Sequence, residues 1–515
     1  MPVRIRKDSN ASGPQQQIPR ASGGTGSSGG LLYALLPMVI NLFKKNPKTA
    51  IVLTLVAAGG IFLLTRTGNS TSNALQSVLF GTGLEMDQRI YDEAEVFEPL
   101  ADNIKNPLPE SVSLVDYCPQ RLNQGTQGSC VGWASAYAAR TILQSRATGA
   151  DPDDVAFSPA YVYNQIALPN CQGTYMQQAM EVMHQGGALP FSRFAYNENS
   201  CSKKPTESER MAAAAFKTKG FNRLTLGGDD YRTDLLAIKQ NLAQGAPVVI
   251  GMMVGGSFMS DMIGRELWLP TRSDYNMMGF GGHAMCAIGY DDYYQGGAFQ
   301  VMNSWGEEWG KNGIFWIRYN DFDYFTREAY GLYPMGNAEA VTSKILQVQM
   351  GLVINATGTY IPFNYQSGIT FASGSTVNPN TDFKIEITNS MECYTYIFGK
   401  ESDGSSYILF PYTEKHSPYC GITGTRLFPK DYSLYPDEVG DKDYIAIIVS
   451  IQKLDYKLLN DAINAAQGVT YDRKVYEALK DELAKEIRFQ GGNNISFSMD
   501  VTYKGMAALV LEINK

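Results

Sequence analysis

Hydrophobic positions follow three different patterns along the chain. Near the N-terminus they form two uninterrupted apolar runs, at 31–43 and 49–65. From about residue 108 to 336, apolar helix-like clusters alternate with short apolar runs that have the length of a strand. Beyond residue 340, apolar and polar residues alternate in short runs separated by Asn, Gly, Ser and Pro, which is typical of antiparallel strands. The patterns therefore predict a membrane-interacting segment, a mixed α and β unit, and a mostly β unit.

The N-terminal residues predict a disordered tail followed by a membrane-interacting segment. Residues 1–30 are rich in Ser, Gly and Gln, so burial of apolar side chains cannot offset the entropy of ordering them. Within 31–66, the second apolar run has 17 uncharged residues, near the lower limit for crossing a hydrocarbon core of about 30 Å. The first run is shorter and contains Pro37, so we expect an interfacial helix there. A cleaved signal peptide and a buried hairpin in a soluble assembly are the alternatives.

The charge is unevenly distributed and predicts how this segment is oriented. Residues 1–48 carry seven Lys or Arg and one Asp, a charge of +6, whereas the whole chain carries −8 and the remainder therefore −14. Basic residues are enriched on the cytoplasmic side of membrane spans. We therefore expect a single-pass membrane protein with a cytoplasmic N-terminus, a stalk or short pro-like linker at 67–107, and an exported catalytic region, periplasmic or extracellular. The acidic balance argues against nucleic acid as a partner.

The first candidate for chemistry is a cysteine at the start of a helix. A glycine-rich turn at 123–129 leads to Cys130, and the small apolar residues that follow have the composition of a buried helix. The unpaired N–H groups and the dipole at a helix N-terminus favour a thiolate over a thiol. Cys130 is therefore a candidate nucleophile, and a buried structural cysteine is the alternative.

A hairpin further along the chain supplies a candidate partner for this cysteine. The predicted strand 281–290 is entered through glycines and carries His283 at its start, and the returning strand 299–303 ends at Asn303. An imidazole that transfers protons needs an orienting partner, and Asn303 can accept from one ring nitrogen while the other faces the nucleophile. His283 is therefore the histidine we expect in the site, among three in the chain.

Four sequence elements resemble the motifs of the papain-like cysteine peptidases and occur in the same order. They are Gln124 six residues before Cys130, the turn Gly128-Ser129-Cys130, the sequence Gly282-His283-Ala284, and the run Asn303-Ser304-Trp305-Gly306 with its glycine-rich continuation to Gly313. The resemblance covers residues 108–336. It implies an α+β fold with two lobes, a helical lobe and a β-barrel-like lobe, with the substrate lying in the cleft between them.

The resemblance also implies a role for each residue of the site. Cys130 is the nucleophile, His283 is the general base and acid, and Asn303 orients the imidazole. The side-chain amide of Gln124 and the backbone N–H of Cys130 form the oxyanion hole. The positions implied to contact the substrate or shield the site are Gly173, Thr174, Gly282 and Trp305. No metal and no cofactor are expected.

The sequence departs from the family pattern in three places. The family's second cysteine, three residues before the nucleophile, is Gln127 here, which leaves Cys171 free to pair with Cys201. Two residues separate Cys130 from Trp133, where the family has the tryptophan directly after the cysteine. Subsite preference therefore cannot be copied from the family. No long helical propeptide of the usual kind is visible, which leaves control by a zymogen form open.

The spacing of the cysteines predicts two local disulfide bridges in an oxidising compartment. Cys171 with Cys201, and Cys393 with Cys420, are each close in sequence and flanked by turn-forming residues. The alternative is that all seven cysteines are reduced thiols. Cys286, on the strand that carries the histidine, is expected to be a core residue.

Residues 340–515 predict a β-sandwich that accompanies the catalytic unit. An amphipathic helix is expected at about 471–488, where apolar residues recur every four positions at Val475, Leu479, Leu483 and Ile487. The part from 383 to 450 loosely resembles a bacterial β-domain of unknown function that is often appended to enzymes. It contains no catalytic constellation, so we expect it to bind or position a protein partner.

Together these features predict a membrane-anchored cysteine peptidase that hydrolyses peptide bonds through an acyl-enzyme. A catalytically inactive papain-fold scaffold, or a transferase that moves acyl or amide groups with the same Cys and His, are the alternatives. The expected partners are a protein or peptide substrate and the membrane.

Overall fold

The computed structural model describes residues 3–8, 80–102, 104–225, 232–333, 344–502 and 505–515. The predicted membrane-interacting segment at 31–66 and most of the predicted disordered tail lie outside these ranges. Within them, no helix is both long enough and apolar enough to cross a membrane.

The described residues form the following elements. The helices are α1 (Gln88–Glu93), α2 (130–148), α3 (Pro159–Ile166), α4 (Met176–Glu181), α5 (Glu207–Ala213), α6 (Leu235–Ala243), α7 (Ser257–Ser260), α8 (Tyr319–Phe325), α9 (Tyr456–Ala465) and α10 (Tyr471–Leu479). The strands up to the end of the mixed α and β unit are β1 (Val3–Lys7), β2 (Val96–Phe97), β3 (Ser111–Ser113), β4 (Phe221–Arg223), β5 (Val248–Val254), β6 (Leu267–Trp268), β7 (Gly281–Asp291), β8 (Ala298–Met302), β9 (Ile314–Arg318) and β10 (Thr326–Leu332). The strands that follow are β11 (Ile345–Ile354), β12 (Tyr360–Ile361), β13 (Phe363–Ser367), β14 (Thr370–Ser373), β15 (Phe383–Asn389), β16 (Cys393–Lys400), β17 (Ser406–Phe410), β18 (His416–Ser417), β19 (Tyr419–Cys420), β20 (Gly424–Phe428), β21 (Tyr432–Pro436), β22 (Lys442–Ser450), β23 (Arg488–Gln490), β24 (Ile495–Asp500) and β25 (Met506–Asn514).

Helix α2 is the central helix of the first lobe, and it begins at Cys130. Its small side chains, including Ala136 and Ala139, are fully buried, so neighbouring elements can approach its backbone closely. The helix ends at Gly149, which has a φ of +69° and donates its N–H to the carbonyl of Ser145. This is the left-handed ending that glycine favours. The buried helix predicted after the cysteine is therefore present.

The second lobe is built on a sheet with the strand order β4-β10-β5-β7-β8-β9-β6, and β3 pairs with β7. Strands β5, β7, β8 and β9 are antiparallel neighbours. The predicted strand that carries His283 is β7, and the returning strand is β8. Because β7 lies between β5 and β8 and also contacts α2, the sheet brings the histidine strand against the cysteine helix.

The C-terminal region forms two further sheets that enclose an apolar core. One has the order β1-β21-β15-β11-β24-β23, and the other β13-β14-β25-β22-β16-β17. Helices α9 and α10 cover the outer face of the second sheet, with buried Leu459, Ile463, Val475 and Leu479. The predicted mostly β unit with one or two helices is therefore present.

The helix predicted at about 471–488 is shorter than expected, since α10 ends at Leu479. The apolar residues at four-residue spacing beyond Leu479 do not belong to this helix. Leu483 contacts the core beneath the helices, and Ile487 contacts the core between the two sheets. A periodic apolar pattern can thus arise from side chains that enter two different cores.

The first described residues correct the prediction of a disordered tail at 1–30. Strand β1 pairs antiparallel with β21, and Ile5 lies opposite Leu434. Val3 is buried in the core between the sheets, and the Arg6 side chain lies 2.6 Å from Asp382 Oδ1. An isolated segment of this length has no core of its own, but the edge of a sheet offers it backbone hydrogen bonds and an apolar surface.

The described part of the predicted stalk at 67–107 packs along both halves of the molecule. It contains a short helix, α1, whose Tyr91 is buried. Strand β2 pairs with β18 of the C-terminal region. Phe97 stacks on Tyr333 and meets Tyr419 edge-on, so this segment contacts both the mixed α and β unit and the β unit.

Candidate active site

The cysteine of the site lies at the first residue of α2 and is completely buried. The backbone N–H of Ala284, on β7, lies 3.4 Å from Cys130 Sγ. Burial raises the pKa of the Cys130 thiol to about 12, although backbone N–H groups around the sulfur lower it. The helix N-terminus therefore does not by itself produce a thiolate in this form of the protein.

The imidazole of His283 is held by Asn303, whose Oδ1 lies 2.8 Å from His283 Nε2. The backbone N–H of Ser304 donates to the same Oδ1 at 2.7 Å, which identifies this atom as an acceptor. In the neutral ring, Nε2 therefore carries the proton and Nδ1 carries the lone pair. Among the described residues, Nδ1 has no hydrogen-bond partner.

The environment of this imidazole favours its neutral form. Burial lowers the pKa of His283 to about 4, partly offset by the hydrogen bond to Asn303. The indole of Trp305 stacks on the ring with centroids 4.4 Å apart and planes inclined by 22°. The tryptophan thus covers the hydrogen bond between His283 and Asn303, where the sequence resemblance placed it.

The side chain of Gln124 is fixed by two hydrogen bonds near the cysteine. Ser304 Oγ donates to Gln124 Oε1 at 2.6 Å, and Gln124 Nε2 donates to the carbonyl of Gln127 at 2.8 Å. The amide group has two N–H donors, so one remains for another acceptor. Tyr196 also supports this turn, because its hydroxyl donates to the Gln124 carbonyl at 2.7 Å.

The cleft between the lobes contains residues 80–85 of the same chain, which we call the cleft segment. The N–H groups of Gly83 and Leu84 both point to the Gly282 carbonyl, at 3.3 and 3.1 Å. Thr174 donates its N–H to Gly83 O at 2.9 Å and accepts from Glu85 N at 3.0 Å. A short strand pairing thus holds the cleft segment along the wall of the cleft.

The cleft segment also covers the catalytic end of the cleft. Trp305 Nε1 donates to Gly81 O at 2.9 Å, and Phe80 contacts the same indole with ring centroids 4.9 Å apart. A Cβ atom on Gly83 would lie 2.2 Å from Gly128 O, so only glycine permits this approach. A Cβ on Gly173 would lie 2.5 Å from Gly83 O. All four positions predicted to contact the substrate therefore contact the cleft segment.

One predicted disulfide is present and the other is not. Cys171 and Cys201 form a bridge, which ties down the loop that carries Thr174. Cys393 and Cys420 are thiols, which corrects the second prediction. They lie directly opposite each other in the paired strands β16 and β19. The prediction that the two cysteines are neighbours is therefore correct, but the prediction of a bond between them is not.

The remaining two histidines and Cys286 lie outside the site. Cys286 is fully buried in the core, as expected. His184 follows α4, and its Nδ1 lies 3.1 Å from the Thr218 carbonyl, so it packs against that loop. His416 belongs to β18, where it is partly buried and contacts Tyr412 edge-on.

Three residues that contact the site were not singled out from the sequence. Ser304 lies within the recognised motif, and its link to Gln124 could have been suspected from that position. Tyr196 and Glu328 lie in segments without a recognisable sequence motif. They reach the cleft only in the folded structure.

Part of the chain is similar in sequence to known proteins. Residues 109–335 match the family described as papain family cysteine protease. An uncharacterized peptidase C1-like protein of Acanthamoeba polyphaga mimivirus is 29% identical over 223 residues, which are 41% of this chain and 66% of that protein. Cathepsin K of Mus musculus is 25% identical over 285 residues, 53% of this chain and 78% of that protein.

Among solved structures, xylellain, a cysteine protease from Xylella fastidiosa, aligns with a TM-score of 0.41 and 22% identity. The alignment covers 50% of this chain and 97% of xylellain. The chain spans about two thirds of the length of the mimivirus relative. From the family match, the part of the chain at 109–335 is a papain-like domain, and a β-rich region follows it.

Proposed function

We propose that the papain-like domain at 109–335 is a thiol peptidase in which Cys130 attacks the carbonyl carbon of a peptide bond. The observation that carries the proposal is the fixed orientation of His283. Asn303 occupies Nε2, so the lone pair of Nδ1 is left without a partner among the described residues, and the backbone N–H of the next residue, Ala284, contacts the thiol. These contacts support a general-base role for His283, and in the reaction Nδ1 comes within hydrogen-bond reach of the sulfur.

The chemistry follows from these positions. Cys130 gives its proton to His283 Nδ1, and the thiolate forms a bond to the carbonyl carbon. The oxyanion accepts hydrogen bonds from the free N–H of Gln124 Nε2 and from the backbone N–H of Cys130. The imidazolium then returns the proton to the departing amine, and the C–N bond breaks. A water molecule, deprotonated by His283, hydrolyses the thioester.

The form described by the structure is a resting form. The cleft segment occupies the wall on which an extended peptide would pair, and burial keeps both the thiol and the imidazole neutral. A peptide can enter only when this segment leaves the cleft. Water and substrate then replace it, and the desolvation that suppresses the thiolate is relieved.

The first test of the proposal is the reaction of the purified full chain with a thiol-directed epoxide, followed by peptide mass mapping. Labelling is expected at Cys130, whereas the other thiols at 118, 286, 393 and 420 are buried away from the cleft. Cys130→Ala should lose both labelling and peptide hydrolysis. Hydrolysis that persists in purified Cys130→Ala would overturn the proposal.

A second candidate function is a binding or scaffold protein with no turnover. The observation that favours this second candidate is the cleft segment, which occupies the cleft. A protein that binds no peptide in the cleft does not need to displace this segment. Release of the cleft segment separates the two candidates. A variant with a displaced segment that binds peptides but never cleaves them would support the scaffold.

A transferase is distinguished from a peptidase by its product. It would yield amine adducts of the peptide, which mass spectrometry detects.

Membrane attachment through 31–66 is part of the same proposal, in a modified form. If residues 31–66 crossed the membrane once, residues 3–8 would lie on the opposite side from the β-rich region. The pairing of β1 with β21 requires both to be on the same side. We therefore propose that the N-terminal strand, the papain-like domain and the β-rich region lie on one side of the membrane. The β-rich region is proposed to bind or position a protein partner.

A further inference from the structure

Two cysteines of the β-rich region, which we call the cysteine pair, face each other outside the candidate active site. Cys393 on β16 and Cys420 on β19 are directly opposed in the antiparallel pairing of these strands. Opposed residues have Cβ atoms about 4.5–5.5 Å apart, and a disulfide needs about 3.5–4.5 Å. A small movement of one strand therefore suffices to join the two sulfur atoms, which belong to thiols in this structure.

The surroundings of the cysteine pair distinguish its two thiols. A hydrogen bond from the Cys393 thiol lowers the pKa of Cys420 below its usual range, and the positive charge of Arg426 acts in the same direction. The Thr395 hydroxyl lies 3.6 Å from the Cys420 sulfur. The pKa of Cys393 is raised, because its proton is held between the two sulfur atoms. A thiolate beside a thiol is an arrangement in which one sulfur attacks an oxidant and the other resolves the product.

Cys286 shows how a cysteine with only a packing role differs from this pair. It is fully buried, and its neighbours across the sheet are Val249 and Met302. Burial raises its pKa, and no hydrogen bond favours its thiolate. The facing partner, the nearby cation and the hydroxyl of the cysteine pair are therefore not general features of buried cysteines in this chain.

The fold also gives the pair a route to a small oxidant. Cys393 and Cys420 are 1% and 3% exposed, which excludes bulky reagents. Strand β19 consists of two residues, however, and pairs with β16 alone. So short a pairing opens at a lower free energy than the long central strands do, and opening of β19 exposes Cys420 to a molecule as small as a peroxide.

We propose that Cys393 and Cys420 form a redox-active pair that closes to a disulfide when a peroxide oxidises it and opens when small thiols reduce it. Both residues belong to the core of the β-rich region. The inference therefore does not depend on the proposed peptidase function.

The oxidation takes two steps. The Cys420 thiolate attacks one peroxide oxygen, the O–O bond breaks, and the other oxygen leaves as hydroxide, which takes up the proton that Cys420 lost. The sulfur of Cys393 then attacks the resulting sulfenic acid of Cys420, and its hydroxyl leaves as water with the proton of Cys393. The two thiols thus lose two electrons, and hydrogen peroxide becomes two water molecules. Reduction by two small thiols returns both protons and leaves those thiols as a disulfide.

Closure of the pair acts on the contact between β2 and the β-rich region. Tyr419, which precedes Cys420, meets Phe97 of β2 edge-on, and Val96 donates its N–H to the Lys415 carbonyl at 2.8 Å. A bond that holds β19 on β16 also holds this surface in place. We therefore expect β2 to be attached more firmly in the oxidised protein.

The first test uses the purified full chain without any substitution. Brief treatment with hydrogen peroxide should yield a linked peptide containing Cys393 and Cys420, and a small dithiol should remove the link. The pair should be oxidised at least about tenfold faster than Cys286, because each unit of pKa changes the thiolate fraction about tenfold. Absence of the linked peptide would overturn the inference. A link already present in untreated protein that resists the dithiol would also overturn it, because the bond would then be a permanent bridge.

Single substitutions test which sulfur attacks the oxidant. Cys393→Ser keeps a hydroxyl donor opposite Cys420 but cannot resolve its sulfenic acid, so a 1,3-dione should capture Cys420 after peroxide treatment. In Cys420→Ser, capture at Cys393 should be at least about tenfold slower, since its own pKa is raised. Cys286→Ser is the matched control and should still form the linked peptide. Equal capture in the first two variants would contradict the assignment of Cys420 as the attacking sulfur.

Hydrogen exchange tests the effect on β2. The Val96 amide should exchange more slowly in the oxidised protein than in the reduced protein. Cys420→Ser treated with peroxide should show no such change, which separates the effect of the bond from that of the oxidant. Equal exchange in the oxidised and reduced wild-type protein would overturn the link between the cysteine pair and the attachment of β2.

Discussion

At the scale of single residues, the site depends on side chains whose orientation is set by a neighbour. Ser304 contributes twice, since its N–H contacts Asn303 Oδ1 and its hydroxyl contacts Gln124 Oε1. The first contact fixes the histidine tautomer, and the second fixes which end of the Gln124 amide donates. The orientation of the Asn303 and Gln124 side chains therefore depends on a single serine.

We predict that Gln124→Ala lowers kcat by about 10²–10³ with a small change in KM, because it removes one donor to the oxyanion. Gln240→Ala is a suitable control, since Gln240 is a buried glutamine far from the cleft that donates to the Ala101 carbonyl. Steady-state kinetics on a peptide substrate provide the measurement. A loss of equal size in both variants would indicate general destabilisation and contradict the assigned role.

The motif residues could be predicted from sequence because each lies in a local element with a clear pattern. The turn before α2 and the hairpin of β7 and β8 are each contained in a short stretch of chain. The expectation of a thiolate at Cys130 failed for this form of the protein, because desolvation outweighs the favourable N–H groups around the sulfur. The sequence of the turn gives no indication that the folded chain buries the Cys130 thiol.

At the scale of elements, the cleft segment is the feature that covers the candidate active site. Its hydrogen bonds occupy the backbone groups with which an extended peptide would pair under the proposed function, and Leu84 is almost completely buried. The proposed function therefore requires that segment and substrate exclude each other.

We predict that Gly83→Ala opens the cleft and accelerates labelling of Cys130. The added Cβ would meet Gly128 backbone atoms at 2.2–2.4 Å, and overpacking of about 1–3 kcal/mol corresponds to a roughly 5–150-fold shift toward the open form. Gly186→Ala is the matched control, because a Cβ there meets nothing within 4 Å. Equal labelling rates in the two variants would contradict a closing role.

The pH dependence of labelling offers an independent check. A thiol reacts as its thiolate, and in the closed form burial raises the pKa of Cys130 to about 12. In wild-type protein the labelling rate should therefore keep rising with pH through the neutral range. In Gly83→Ala, relief of burial lowers this pKa, so the rate should level off at a lower pH. Identical profiles measured by mass spectrometry would argue that the segment does not desolvate the thiol.

At the scale of the whole molecule, two N-terminal segments contact the β-rich region. Residues 80–102 run from the cleft to β18, and β1 completes an edge of the first sheet of the β-rich region. Lys384 reinforces the second of these contacts, with its Nζ 2.6 Å from Asp8 Oδ2. The segment that begins in the cleft therefore also contacts the β-rich region.

We predict that tags at the N-terminus and at the C-terminus are accessible from the same side of the membrane in intact cells. The reason is that β1 and β21 pair within one chain, with Ile5 opposite Leu434. Protease protection of the two tags provides the measurement, and Ile5→Pro, which removes a backbone donor from the strand, is the comparison variant. Tags on opposite sides would contradict the pairing and restore the single-pass arrangement.

From the sequence alone we predicted the papain-like domain, a candidate site built on Cys130, His283 and Asn303, and the β character of the C-terminal region; the fold and the β-rich region are confirmed. These features are encoded in short stretches, where turn chemistry and the period of apolar residues act locally. Other contacts became apparent only in the folded structure: Gly81 contacts Trp305, 224 residues away in sequence, Leu84 and Glu328 both lie against Gly251, and β1 pairs with the distant strand β21. Such contacts depend on which surfaces the folded lobes bring together, and no local pattern records them.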